Sequence, residues 1–70
     1  MAMVRIFGKE NCPYTTAARK AHEAKGDEVA YYDVKRDAAR LAELLVLSGG
    51  RREVPVIDEG GTITIGFGGT

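Results

Sequence analysis

The single cysteine of the sequence, Cys12, limits how this chain can be held together. One cysteine forms no internal disulfide, and with a single histidine beside it the chain lacks the roughly four Cys and His ligands of a structural zinc site. A chain of 70 residues buries only about 60% of its unfolded surface. We therefore expect one domain, residues 1–70, that is stabilised by packing alone, without a disulfide or a bound metal ion.

The charge and hydropathy of the chain exclude several classes of protein. Ten Lys and Arg residues balance ten Asp and Glu residues, so there is no strong positive field to attract nucleic acid or an anionic membrane surface. No apolar run reaches the roughly 18 residues of a membrane span, and the first residues lack the apolar stretch of a secretory signal. We expect a cytoplasmic protein that binds neither nucleic acid nor membrane.

Short strand-like segments alternate with helical segments along the chain. The composition predicts strands at 3–7, 29–34, 54–57 and 62–65, and helices at 13–25 and 38–47. Asp37 is suited to cap the second helix. The first strand–helix–strand unit should be a right-handed parallel crossover, and the last two strands should form an antiparallel hairpin. The sequence thus predicts an α/β fold of order βαβαββ with a mixed four-stranded sheet.

Cys12 lies after the loop that follows the first strand and directly before Pro13, at the start of the first helix. The free N–H groups and the positive end of the helix dipole stabilise a thiolate there and lower the pKa of the thiol. Lys9 would add a further positive charge. The position therefore predicts a reactive nucleophile, whereas a lone cysteine elsewhere is more often an inert buried residue.

Three short motifs resemble the glutaredoxin family, which has a thioredoxin-like fold. The string Cys-Pro-Tyr-Thr at 12–15 is similar to the family's Cys-Pro-Tyr-Cys, with Thr15 in place of the second cysteine. Val-Pro-Val at 54–56 resembles the segment in which the family holds a cis proline, here Pro55. Ile-Gly-Phe at 65–67 resembles the family's Gly-Gly segment. The resemblance implies a thioredoxin-like sheet and helices, with the final family helix absent or trimmed.

The resemblance also implies which residues would bind glutathione, the expected co-substrate. They are Lys9, Tyr14, Arg52, Val54, Pro55, Gly66 and Phe67. Arginine suits a peptide that ends in a carboxylate, because a guanidinium donates two parallel hydrogen bonds to that group. Gly69 and Thr70 replace the acidic residues that in glutaredoxins help to hold the glutamyl end of glutathione. No tightly bound cofactor is expected.

The mechanism implied by the resemblance is that of a monomeric monothiol disulfide oxidoreductase. The Cys12 thiolate would attack a mixed disulfide of glutathione or a protein, become glutathionylated, and be released by a second glutathione. Thr15 has no thiol, so the chain cannot form an intramolecular disulfide during this cycle.

Three alternatives stay open at this point. A reductase of the same class could form a sulfenic acid at Cys12, a position where some relatives carry selenocysteine. A single-cysteine member could instead carry a 2Fe–2S cluster between two subunits with glutathione, although the bulky pair Pro13 and Tyr14 disfavours this. An interaction module without turnover would have an unreactive Cys12.

Two further expectations concern residues outside these motifs. His22, within the first helix and about 15 Å from its start, should lie on the surface and should not contact Cys12. Tyr31 and Tyr32 alternate across the second strand, so one should pack in the core and the other should lie outside.

Overall fold

The computed structural model describes residues 3–70. Its elements are β1 (Met3–Gly8), α1 (Pro13–Ala24), β2 (Glu28–Asp33), α2 (Ala38–Leu47), β3 (Val56–Glu59) and β4 (Thr62–Ile65). The sheet has the strand order β2-β1-β3-β4. β1 is parallel to β2, whereas the pairs β1–β3 and β3–β4 are antiparallel. The predicted βαβαββ order and mixed four-stranded sheet are confirmed.

The two helices pack on opposite faces of the sheet. Val4 and Ile6 of β1 form one apolar cluster with Ala18 of α1. Phe7 of the same strand points the other way and packs with Leu44 of α2. Because both faces are covered, the central strands are apolar on both sides. Within residues 3–70, neither helix is long and apolar enough to cross a membrane.

β3 is the one element whose bounds the sequence misplaced by more than a residue. The strand was expected at 54–57 but spans Val56–Glu59. The Val54–Pro55 peptide bond is cis, as the resemblance implied, and Pro55 has no N–H to donate to the sheet. The Pro55 carbonyl instead accepts a hydrogen bond of 2.7 Å from the N–H of Gly66, just beyond β4.

The start of α2 follows the prediction. Asp37 has extended backbone angles, and its carboxylate accepts hydrogen bonds from the N–H groups of Ala39 and Arg40 at 3.1 and 3.2 Å. These bonds satisfy two of the N–H groups that a helix leaves free at its first turn. Asp37 thus fixes where the chain turns into α2.

Arg5 is the polar exception in β1. Its guanidinium donates hydrogen bonds to Asp58 of β3 at 2.6 and 3.1 Å and to Glu43 of α2 at 2.5 Å. Asp58 is buried and lies beside Arg5 in the register of β1 and β3. The ion pairs therefore tie the two central strands to α2.

The expectation that His22 lies on the surface was wrong. The residue is 6% exposed, because the last turn of α1 packs against the following loop and the end of the chain. His22 Nδ1 lies 3.0 Å from Asp27 Oδ2, and the ring centroid lies 6.4 Å from that of Phe67. Neither contact can be deduced from helical spacing, since both depend on tertiary packing.

The expectation that one of the two β2 tyrosines lies outside the core was also wrong. Tyr31 and Tyr32 point to opposite faces, and both are half-buried. The Arg19 guanidinium lies 4.0 Å from the centroid of the Tyr31 ring, and that of Arg40 lies 3.9 Å from Tyr32. Each helix supplies an arginine that covers one ring, so neither face of this edge strand is fully open.

Candidate active site

Cys12 is the N-cap residue of α1. Its backbone is extended, with φ −92° and ψ 115°, and Pro13 occupies the first helical turn. The Cys12 carbonyl accepts the first helical hydrogen bond, from the N–H of Thr16 at 3.0 Å. No side chain caps this helix end. The sulfur is thus carried at the positive end of a helix whose first N–H groups have no side-chain acceptor.

Several groups around Cys12 act on the pKa of its thiol. Burial raises the pKa, but the Thr15 hydroxyl, the backbone N–H groups of Thr15 and Tyr14, and the charge of Lys9 favour the thiolate and lower the pKa below its ordinary value overall. Thr15 Oγ1 is buried and makes no hydrogen bond of ordinary geometry within the described residues. Its hydroxyl is therefore free to turn to the sulfur, and this contact strengthens when the sulfur is ionised.

Cys12 is buried but lines an open cleft. Only 4% of the residue is exposed, yet it borders a cleft of about 440 Å³ with Asn11, Pro13, Thr16, Ala17 and Lys20. Asn11 turns the chain into the helix with a positive φ of 62°, a conformation that asparagine tolerates better than most residues. A reacting group can therefore approach Cys12 from this side of α1.

A second groove of about 380 Å³ brings together residues from four parts of the chain. It is lined by Lys9, Val34, Lys35, Leu41, Arg52 and Val54. The sequence predicted three of these as glutathione-binding residues, namely Lys9, Arg52 and Val54. Three of the six lining side chains are cationic and none is acidic, so the groove favours an anionic ligand.

Lys35 lines this groove but was not predicted from the sequence as a site residue. It follows β2, and its N–H donates to Asp33 Oδ1 at 2.9 Å in a tight turn. This turn lies at the carboxyl end of parallel strands β1 and β2, the edge where α/β sheets commonly bind ligands. The charge next to that edge was the signal that could have identified Lys35.

The cis-proline segment meets Cys12 through Val54. Val54 is 9% exposed and belongs to the same apolar cluster as Cys12 and Phe7. Pro55 follows directly, and it is fully buried. The fold therefore brings Val54 into the same apolar cluster as Cys12, although the two residues lie far apart in the sequence.

The remaining predicted site residues lie outside the cationic groove. Tyr14 is exposed, and its ring lies against the Gly69 backbone: a Cβ atom on Gly69 would be 2.6 Å from Tyr14 Cζ. Gly66 has a positive φ of 88°, and its N–H donates a hydrogen bond to the Pro55 carbonyl. Phe67 packs near His22 with the two rings tilted by 54°, and it is not among the groove residues. The structure thus groups Gly66 with Pro55 but places Phe67 elsewhere.

The arrangement supports one kind of thiol chemistry. The only thiol in the chain has a lowered pKa and shares an apolar cluster with Val34 and Val54, which line the anion-favouring groove. No second thiol is present to close an internal disulfide. Disulfide exchange at this sulfur is therefore intermolecular.

Solved structures of known proteins share this fold. A glutaredoxin from Archaeoglobus fulgidus has a TM-score of 0.80 and 21% identity, over 96% of this chain and 77% of its own. A buckwheat glutaredoxin solved as a complex with glutathione has a TM-score of 0.77 and 24% identity, over 96% of this chain. The holo form of glutaredoxin C1 from Populus tremula x tremuloides has a TM-score of 0.76 and 24% identity, over 97% of this chain. The chain spans 63% of the length of each of these two plant proteins.

The sequence itself matches a family model. No curated protein matches the chain significantly. The glutaredoxin family model, however, matches residues 4–63, a range that contains the Cys-Pro-Tyr-Thr string, the cis proline and all four strand segments except the start of β1 and the end of β4. On this match the chain belongs to the glutaredoxin family.

Proposed function

We propose that the protein is a monothiol oxidoreductase that reduces mixed disulfides of glutathione. Membership of the glutaredoxin family supports a function of the thiol–disulfide oxidoreductase type. The observation that carries the finer proposal is the position of Cys12, at the start of α1 with a lowered thiol pKa and beside the cis Val54–Pro55 bond.

The reaction proceeds in two exchanges. The Cys12 thiolate attacks the glutathione sulfur of a mixed disulfide, which breaks that S–S bond, forms a Cys12–glutathione disulfide and releases the substrate thiolate, which takes a proton from water. A second glutathione thiolate then attacks the bound glutathione sulfur. Glutathione disulfide leaves and Cys12 returns to its thiolate. In the net reaction one free glutathione thiol is consumed, the substrate thiol is regenerated, and the disulfide bond passes from the substrate to glutathione disulfide.

The cationic groove is proposed as the site for the glutathione moiety. Lys9, Lys35 and Arg52 supply positive charge to a ligand whose two carboxylates are ionised at neutral pH. Val54 lines this groove and belongs to the apolar cluster of Cys12, and we propose that its backbone offers main-chain groups to an extended peptide. The buckwheat glutaredoxin solved with glutathione supports this choice of ligand.

Four further residues complete the proposed site, namely Tyr14, Pro55, Gly66 and Phe67. Tyr14 is exposed and lies against Gly69, and the N–H of Gly66 donates a hydrogen bond to the Pro55 carbonyl. Phe67 is included in the proposed site although its ring packs toward His22. We extend the proposal to a monomer in the cytoplasm, where glutathione is abundant and thiols are kept reduced.

The test uses the intact chain and its Cys12→Ser variant. A glutathionylated peptide is supplied with reduced glutathione, and release of glutathione disulfide is followed by a coupled reductase. We expect activity and a trapped glutathione adduct only with the native protein, because a serine hydroxyl is not ionised at neutral pH. Equal activity of the Cys12→Ser variant would reject the proposal.

A further inference from the structure

His22 lies in a cluster of metal-ligating side chains that the thiol site does not use. His22 comes from α1, Asp27 from the α1–β2 loop and Glu59 from the end of β3. One ligand atom from each residue lies within 4.8 Å of the others. The cluster sits at the opposite end of α1 from Cys12, about 15 Å along the helix axis.

Asp27 fixes the tautomer of the His22 ring. Nδ1 lies 3.0 Å from Asp27 Oδ2, so in the neutral ring the carboxylate accepts the Nδ1–H and the lone pair lies on Nε2. A carboxylate on the far nitrogen is the usual partner of a metal-bound histidine, because it orients the ring and makes Nε2 a better donor to the metal.

The Nε2 lone pair has no proton donor to meet it. It faces Glu59 Oε1 at 4.0 Å, which is too long for a hydrogen bond, and makes no hydrogen bond within the described residues. The His22 side chain is only 8% exposed, so little of the ring is open to water. With the ring neutral, two acceptors thus face each other across a gap that a positive ion would fill.

The gap and the local charge both suit a divalent ion. Bonds of about 2.0 to 2.2 Å from a tetrahedral metal ion place two ligands about 3.4 Å apart, so the two atoms, at 4.0 Å, need to approach each other only slightly. The Glu59 side chain is 41% exposed and can close on the ion. The two carboxylates carry more negative charge than the single ammonium of Lys25 offsets. Lys25 Nζ lies 3.3 Å from Asp27 Oδ2, and its side chain is exposed, so it can move away from the site.

We propose that His22 Nε2 and the Glu59 carboxylate bind a divalent transition-metal ion of the zinc class, with Asp27 as the positioning residue and water completing the shell. An imidazole with a carboxylate favours zinc, nickel or copper over magnesium and calcium. With one cysteine and one histidine, the sequence excluded a zinc site made of Cys and His ligands alone. The fold adds carboxylate ligands, which that argument did not consider.

The test follows the ring of His22, the only histidine in the chain. Untagged, ¹⁵N-labelled Cys12→Ser protein is titrated with zinc chloride, so that the thiol does not compete for the metal. We expect saturable shifts of the His22 ring signals, with Nδ1 still protonated, and a matching heat of binding by calorimetry. His22 signals that do not move in excess zinc would overturn the proposal.

Matched variants show which residues hold the ion. In the same background, Glu59→Gln should weaken zinc binding at least tenfold, and Asp27→Asn about 10- to 100-fold, whereas Glu28→Gln, an exposed carboxylate one residue from Asp27, should leave it unchanged. Dispersed amide spectra establish that each variant is folded. An unchanged affinity in Glu59→Gln would contradict the assignment. The result is independent of the proposed thiol chemistry, because Cys12 is absent throughout.

Discussion

The backbone of Gly8 lies so close to the side chain of Thr15 that a Cβ atom on residue 8 would stand 2.4 Å from Thr15 Cγ2 and 2.6 Å from Oγ1. Thr15 is 1% exposed and lies in the first turn of α1, and Gly8 ends β1. The missing side chain at Gly8 thus lets α1 rest directly on the strand end. This contact helps to fix Cys12, one turn before Thr15, relative to the sheet.

We therefore expect Gly8→Ala to lower the free energy of unfolding by about 1 to 3 kcal/mol, because the added methyl overpacks the contact. Urea denaturation of the native protein and the variant measures the difference. Thr15→Ala removes both crowding atoms, so the double variant should cost less than the sum of the two single changes. Strict additivity would show that the two residues do not press on each other.

Thr15→Val should raise the pKa of the Cys12 thiol, because burial still raises it while the hydroxyl that lowers it is gone. The alkylation rate of Cys12 by iodoacetamide, followed against pH, should then rise at higher pH than in the native protein. Folding stability should change little, since Thr15 Oγ1 has no ordinary hydrogen-bond partner to lose.

Thr16→Val is the matched control for this change, because Thr16 is exposed and follows Thr15 in the same helical turn. The midpoint pH of its alkylation profile should equal that of the native protein, because Thr16 lines the approach cleft but does not act on the pKa of the thiol. A Thr15→Val profile with the same midpoint would show that the hydroxyl does not act on the sulfur.

Stability should fall in acid through the ion pairs of Arg5. The hydrogen bond from Arg5 lowers the pKa of Asp58, helped by the Gly61 N–H, and it lowers that of Glu43 together with Arg40. A carboxyl whose pKa is lower in the folded state stabilises the fold at pH values above its unfolded pKa of about 4. This stability is lost as the pH falls through the pKa of the folded state.

Thermal unfolding between neutral pH and pH 2 tests this account. Asp58→Asn should lower the Tm at neutral pH and flatten its fall in acid, because it removes one of the titrating groups. Glu23→Gln changes an exposed carboxylate on α1 and should keep the native profile. An Asp58→Asn profile parallel to that of the native protein would remove Asp58 from the explanation.

Arg52→Gln should raise KM for a glutathionylated peptide about two- to fivefold, the effect of losing one exposed charge contact, with little change in kcat. Arg51→Gln is the control, since Arg51 is paired with Glu53 at 2.6 Å and does not line the groove. Added salt should raise the KM of the native protein more than that of Arg52→Gln. Equal KM values for the two variants would exclude a specific role for Arg52.

Local signals predicted most of the fold. Apart from the two ends of β3, element boundaries agree with the predicted ones to within one residue. Strand composition, the Asp37 cap and the Cys12–Pro13 helix start are read from neighbouring residues, so the sequence contains them directly. The β3 boundary failed because a valine beside a proline has strand-like composition, whereas Pro55 cannot donate to the sheet.

The sequence by itself determined that one sulfur lies at a helix start and that strands and helices alternate, because these depend on residues a few positions apart. Only the tertiary structure decided that Lys35 joins Lys9 and Arg52 in one groove, and that His22 is buried between Asp27 and Glu59. Such groupings join residues from distant segments, and their positions are set by how the helices pack on the sheet.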